Sequence, residues 1–265
     1  MIRVRDLTLR PGEPETLLKT LAADYLNVNV DSITELRLRR RAVDARKKQD
    51  IRLIYTVDII LDGDEDAVLR RAGDRASRSE ENAYEPPRTD ARPEKRPVVV
   101  GFGPAGIFAA LLLARAGLRP IVLERGQDAD RRAQAVERFR AGGDLDPECN
   151  VQFGEGGAGT FSDGKLTTGI KDPRIRFVLE SLHTAGADES ILYDAKPHVG
   201  TDVLRGVVKN LRKEIISSGG EVRFGARLDD LRIENGALRV PSTVTGTRAT
   251  PSETEASESW SVTSG

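Results

Sequence analysis

Two glycine-rich segments hold the residues best suited to chemistry. The first is Val98-Val99-Val100-Gly101-Phe102-Gly103-Pro104-Ala105-Gly106, followed by an apolar helical stretch from Ile107 to Leu118. Strand, tight turn and helix in that order build a phosphate site. Gly101 permits the sharp turn, Gly103 the approach of a pyrophosphate, and Gly106 close packing of helix on strand. The helix N-terminus adds N–H groups and a partial positive charge. A second apolar strand, Ile121-Val122-Leu123, ends in Glu124, 18 positions beyond Gly106. A carboxylate there suits the hydroxyls of an adenosine ribose and disfavours a 2′-phosphate.

The second segment runs from Gly154 to Lys165 and holds Gly156, Gly157, Gly159, Thr160 and Ser162. Glycine is the residue most expensive to order, so this density implies close backbone approach to a cofactor. The loop suits a pyrophosphate or the polar edge of a flavin, with Lys165 placing a positive charge beside it. A plain flexible loop is the alternative. Lys165 and His198 are the two candidates for acid–base work. His198 also reads as a structural hydrogen-bonding residue beside a helix start. Cys149, with no histidine near it in sequence, reads as a packing residue.

The elements that must position these groups follow from periodicity and punctuation. Residues 1–72 read as a small α/β domain. Its strands are Ile2–Leu9, Ile33–Leu38 and Ile51–Leu61, with a helix after Pro14 and another from Asp66 to Arg71. Residues 73–97, rich in proline and charge, read as a disordered linker. Residues 98–240 read as a dinucleotide-binding domain with helices near 129–140 and 173–185 and a third, capped by Thr201, that carries Val203 to Ile216 and ends at Gly219-Gly220. A hairpin is expected around Asn235-Gly236. Residues 241–265 hold Ser or Thr at 12 of 25 positions and read as a disordered tail, as though the chain were truncated or frame-shifted.

Composition narrows the classes. The chain has 265 residues, a net charge of −1, 31% charged residues and one cysteine. That excludes a disulfide framework and a C-x-x-C redox centre. No membrane span or signal peptide is visible, which reads as cytoplasmic. No metal site is suggested. A basic cluster, Arg37, Arg39, Arg40, Arg41, Arg46, Lys47 and Lys48, raises an anion- or RNA-binding alternative for the N-terminal domain. No aromatic residues interleave with it, so a solvated strand end balanced by neighbouring acids is preferred, and a nucleic-acid partner is not expected.

Several stretches together resemble a known group. Gly101–Gly106 with Glu124-Arg125-Gly126 is similar to the FAD-binding half of glutathione-reductase-like flavoproteins. Residues 146–166, with Asp146-Pro147-Glu148-Cys149-Asn150 and Gln152-Phe153-Gly154-Glu155-Gly156-Gly157, resemble bacterial FAD-dependent dehydrogenases. So do Tyr193-Asp194-Ala195-Lys196-Pro197-His198-Val199-Gly200 and Asp44-Ala45-Arg46-Lys47-Lys48.

The resemblance implies a Rossmann-type α/β domain, here incomplete, behind a small α/β N-terminal domain. It implies non-covalent FAD, with NAD(P)H as a possible electron donor and an unidentified small-molecule substrate. Gly101, Gly103, Pro104, Ala105 and Gly106 would hold the pyrophosphate, and Glu124 the ribose. Arg125 would flank the adenine, and Val222 would meet it through its backbone. The implied activity is a flavin-dependent oxidoreductase. The alternative is a catalytically incomplete FAD- or NAD-binding fragment of one.

Overall fold

The computed structural model describes residues 1–79, 83–90, 93–161, 164–230, 232–234, 237–239 and 244–245. The chain is mixed α/β and falls into two compact units. One comprises Met1–Tyr84, Lys165–His183 and Asp188–His198, the other Glu85–Gly164, Thr184–Ala187 and Val199–Gly265. The stretches 165–183 and 188–198, which the sequence reading assigns to the dinucleotide-binding domain, group with the N-terminal unit.

The first unit runs β1 (Ile2–Leu9), α1 (Leu17–Leu26), β2 (Ile33–Asp44), β3 (Arg52–Leu61), α2 (Glu65–Arg71) and β4 (Ala76–Arg78). The strands form one antiparallel sheet in the order β2-β3-β1-β4, a split βαβ pattern. Alternation decides its faces. Ile2, Val4, Leu7 and Leu9 of β1 and Tyr55, Val57, Ile59 and Leu61 of β3 bury one face. Leu18, Ala22, Ala23 and Leu26 of α1 and Val68 of α2 pack on it. The opposite face is polar and centres on Asp58, whose side chain is fully buried (0% exposed). Its carboxylate accepts from Arg3 Nε at 2.7 Å, Arg39 Nε at 2.6 Å and Ser79 Oγ at 2.6 Å. Burial would raise this carboxyl, but those donors outweigh it and hold it at about 2.

Three details depart from the sequence reading. β2 continues six residues past Leu38, because after a register shift between Leu38 and Arg40 the chain goes on pairing with β3 through Asp44. The stretch read as a linker begins with β4, which pairs Ala76 with Val4 and Arg78 with Ile2. A strand edge needs partners for its backbone groups, and three small or polar residues suffice for that. Several members of the basic cluster meet acids: Arg37 meets Glu35, Arg46 meets Asp44, and Arg41 meets Glu15 and Asp194. Arg41 also exchanges backbone hydrogen bonds with Tyr193 and Ala195, which extends the β2 edge.

The second unit is built on a parallel sheet in the order β5-β6-β7. β5 is Val98–Val100, β6 Ile121–Glu124 and β7 Glu221–Phe224, with Val99, Val122 and Val222 in register. α3 (Pro104–Arg115) connects β5 to β6 and buries Ile107, Ala110, Leu111 and Ala114. α6 (Thr201–Ser217) buries Val207, Val208, Leu211 and Ile215 and packs on α3 and β7. Gly200, not Thr201, occupies its N-cap, and no side chain caps it. α4 is Ala129–Arg140, and α5 (Arg174–Thr184) lies mainly in the first unit. Beyond β8 (Arg227–Leu228), β9 (Arg232–Glu234) pairs with β10 (Ala237–Arg239) as the expected hairpin; its turn, Asn235-Gly236, lies outside the described residues. Of the expected disordered tail only β11 (Val244–Thr245) is described, paired with β8. The other residues of 241–265 lie outside the described residues.

Candidate nucleotide crevice

The carboxyl ends of β5 and β6 open into a cavity of about 390 Å³. Val100, Gly101 and Gly103 line it from the first turn, and Leu123, Glu124 and Arg125 from β6. Gln152, Phe153, Gly154 and Gly157 line it from the second glycine-rich loop, and Ala226, Arg227 and Leu228 from the chain after β7. The crevice beyond the carboxyl ends of parallel strands is where open α/β sheets take their ligands.

The first turn holds its shape by backbone means. Gly101 has φ +90° and its N–H donates to the Leu123 carbonyl at 2.7 Å. A Cβ on Gly101 would meet nothing within 4 Å, so this glycine is needed for its dihedral and not for room. Gly106 is the reverse case: a Cβ there would lie 1.9 Å from the Gly101 carbonyl oxygen. Gly103 caps α3, Pro104 is its first residue, and the exposed Ala105 follows. The first N–H groups of a helix have no partner within it, so this end of α3 offers donors.

The second loop rests on the first. The Gly156 N–H donates to the Phe102 carbonyl at 2.8 Å, and a Cβ on Gly157 would stand 3.2 Å from Gly103 Cα. The sequence placed both segments near a phosphate, and the structure brings them into contact. Glu124, 4% exposed, accepts the Phe102 N–H at 2.7 Å and the Gly126 N–H at 2.8 Å, one on each oxygen. It therefore ties the first turn to the end of β6. A carboxylate has about four lone-pair positions, so ribose hydroxyls still have acceptors there. The Arg125 guanidinium lies 3.9 Å from the Phe153 ring centroid and pairs with Glu148, which also pairs with Arg227 at 2.7 Å.

Other sequence candidates fall elsewhere. Val222 sits mid-ladder opposite Val122 and does not line the cavity. The buried Thr160 hydroxyl donates to the Gly157 carbonyl and accepts from Arg132 of α4, so it ties the loop to that helix. Nothing lies within 4 Å of a Cβ placed on Gly159. Ser162 lies outside the described residues. Lys165 and His198 are direct partners in a short antiparallel bridge, which sets both exposed side chains on one side of the chain pair. Cys149 is 3% exposed and burial pushes its thiol up, as suits a packing residue.

Sequence reasoning passed over Arg132, on α4. It is fully buried (0% exposed). Its guanidinium donates to the carbonyls of Asn150, Val151, Glu155 and Gly157 and to Thr160 Oγ1, all at 2.7–2.9 Å, and to Gly154 O at 3.3 Å. The Phe161 ring covers it at 4.7 Å. A Cβ on Gly154 would stand 2.4 Å from Arg132 Cδ, which explains a glycine there. Glu155, whose side chain is also fully buried, accepts the Ala129 N–H at 2.7 Å and lies 3.3 Å from Arg212. Its other oxygen has no partner, and burial raises its pKa.

Residues 1–60 match the profile of a domain of unknown function, DUF8436. A protein of Clostridium beijerinckii described as uncharacterized is 48% identical over 239 residues, covering 89% of this chain and 45% of that protein. The chain thus spans less than half the length of this relative. Among the described residues no helix is long and apolar enough to cross a membrane.

Proposed function

We propose that the second unit is a Rossmann-type domain that binds FAD, and that the chain is the dinucleotide-binding part of a flavin-dependent oxidoreductase. One observation carries this reading. Gly103 and Gly157 face each other at the carboxyl ends of parallel strands, beside the acid that ends β6. Small residues on both walls leave the crevice shaped for a phosphate-bearing chain rather than for side-chain contacts.

In this reading Gly101, Gly103, Ala105 and Gly106 present backbone to the pyrophosphate, and Glu124 accepts the ribose hydroxyls. Arg125, held flat on Phe153, offers its face to the adenine. The flavin itself supplies hydride chemistry when bound. Lys165 and His198 take no part in this reading, since both group with the first unit and the crevice is lined by the second. The second reading is that the chain holds a dinucleotide without turning over.

The test is calorimetric titration of the purified chain with FAD, NAD and NADP, with the visible spectrum recorded at each FAD addition. FAD binding in preference to both nicotinamide dinucleotides is expected. Tighter binding of NAD than of FAD, or of none of the three, refutes the reading. Bound FAD that NADH and NADPH both fail to reduce favours the non-catalytic alternative.

A further inference from the structure

The first unit has a cavity of its own, of about 610 Å³, on the polar face of its sheet. Thr8 and Ile54, opposite each other in register, line it from β1 and β3. Asp44, Arg46, Lys47, Asp50 and Arg52 line it from the β2–β3 hairpin. Helices α1 and α2 pack on the other, apolar face. Residues 44–52 hold four cations and two acids, so the hairpin end keeps an excess of positive charge. The expected balance by neighbouring acids holds for part of the basic cluster only. Arg46 pairs with Asp44 and Arg52 with Asp50, whereas Arg40, Lys47 and Lys48 are exposed and form no ion pair among the described residues.

The two ion pairs also fix their arginines. Arg46 Nε and Nη2 donate to the two oxygens of Asp44 at 2.9 and 2.6 Å, and Arg52 Nε and Nη2 lie 3.0 and 2.9 Å from Asp50. Nη1 of each guanidinium has no partner among the described residues and is a ready donor to a phosphate oxygen. Hydrogen bonds from Arg46 hold Asp44 at about 2, and Arg52 lowers Asp50, so both acids stay ionised and act as acceptors. Arg40 stands on the same face, since Arg40, Ala42 and Asp44 meet Thr56, Ile54 and Arg52 in register. At about 3.3 Å per residue it lies roughly 13 Å along the strand from Asp44. Cations spread over that length exceed the reach of one phosphate and suit a chain of them.

We infer that this face of the first unit binds single-stranded RNA by its backbone: Arg40, Lys47 and Lys48 neutralise phosphates, Arg46 and Arg52 donate to them, and Asp44 and Asp50 accept from 2′-hydroxyls. An acidic peptide would supply the anions but not the hydroxyl donors. Four-stranded sheets that carry single-stranded RNA stack its bases on aromatic side chains. Here Thr8, Ile54 and Thr56 occupy the central strands, so binding is tolerant of sequence and governed by salt. The inference does not rest on the flavin reading, which concerns the second unit.

Fluorescence anisotropy of the full chain with a short labelled oligouridylate tests it, with the matching deoxyuridine strand and a polyglutamate peptide as competitors. The chain is expected to bind oligouridylate, and log K to fall with log[salt] at a slope of about −2 for three phosphates neutralised. The double variant Lys47→Ala, Lys48→Ala should bind at least about tenfold more weakly at low salt, with a slope near about −0.7. The double variant Arg138→Ala, Arg140→Ala removes the same charge from exposed positions of α4 and should change neither quantity. All four side chains are exposed, so both variants should melt like the native chain. The deoxyuridine strand and polyglutamate should each compete several-fold less well than unlabelled oligouridylate. A native chain that binds no oligouridylate overturns the inference. So do equal losses in the two double variants, which would report net charge alone, and equal competition by the deoxy strand or by polyglutamate, which would remove the hydroxyls from recognition.

Discussion

Asp58 gives the sharpest prediction, because its charge is fully buried and its partners are known. Its carboxyl falls from an ordinary value of 3.8 to about 2 in the folded chain. At about 1.4 kcal/mol per tenfold change in acidity, this is worth about 2 kcal/mol, and the side chain is 0% exposed to solvent. A depressed folded pKa means stability that is complete above the unfolded value and lost as pH falls through the folded one. Asp58→Asn keeps the shape, removes the charge and leaves Arg3 and Arg39 facing a neutral amide. At neutral pH the variant should lose about 2 kcal/mol in the first unit, and the gap should close between about pH 5 and pH 2. Hydrogen exchange of peptides covering β1 and β3, corrected for intrinsic rates, reads this locally and separates it from the second unit. A gap that is the same at both ends of that pH range would refute the reasoning. The cost of the substitution would then lie in hydrogen-bond geometry and not in charge.

Glu155→Gln reports the opposite sign. Burial raises the Glu155 pKa, so the native chain should lose stability relative to the variant as pH climbs from the ordinary glutamate range through the raised value. Melting curves that instead favour Glu155 as pH rises would mean that the Arg212 pair outweighs desolvation. Gly106→Ala drives a Cβ into the Gly101 carbonyl, against backbone that cannot swing aside. It should cost at least about 1–3 kcal/mol by urea unfolding and abolish nucleotide uptake. Cys149 should resist a thiol reagent in the native chain and react at once in urea; rapid native labelling would contradict its burial.

The parts of the fold that could be read in the residues are those with strong local punctuation. The three valines marked β5, the helix expected over Ile107–Leu118 is α3 and begins three residues earlier at Pro104, and α4 was read near 129–140, where it is found. Arg132 was hidden because α4 carries four other arginine or glutamate residues that face water, and charge in a polar helix reads as surface. A signal was present: Ala129, Arg132 and Val136 share one helix face at spacings of three and four, and all three are buried. The full length of β2 was masked because a run of arginines looks like a loop, and the register shift between Leu38 and Arg40 breaks the alternation that would have marked a longer strand. Glu124 was found by its distance from Gly106, but its two backbone donors depend on tertiary placement and have no counterpart in spacing. The partnership of Lys165 with His198 spans 33 positions and was equally invisible.

The edge of β2 carries a consequence for synthesis. Arg41 takes its backbone and carboxylate partners from Tyr193, Asp194 and Ala195, more than 150 positions later in the chain. While the ribosome is still making the intervening residues, a twelve-residue arginine-rich strand stands with one flank unpaired. The N-terminal unit can collapse early around its apolar face, but its β2 edge is covered only after both glycine-rich segments have been translated. A nascent chain stalled before residue 193 should show β2 amides exchanging freely along that flank, while those facing β3 are already protected.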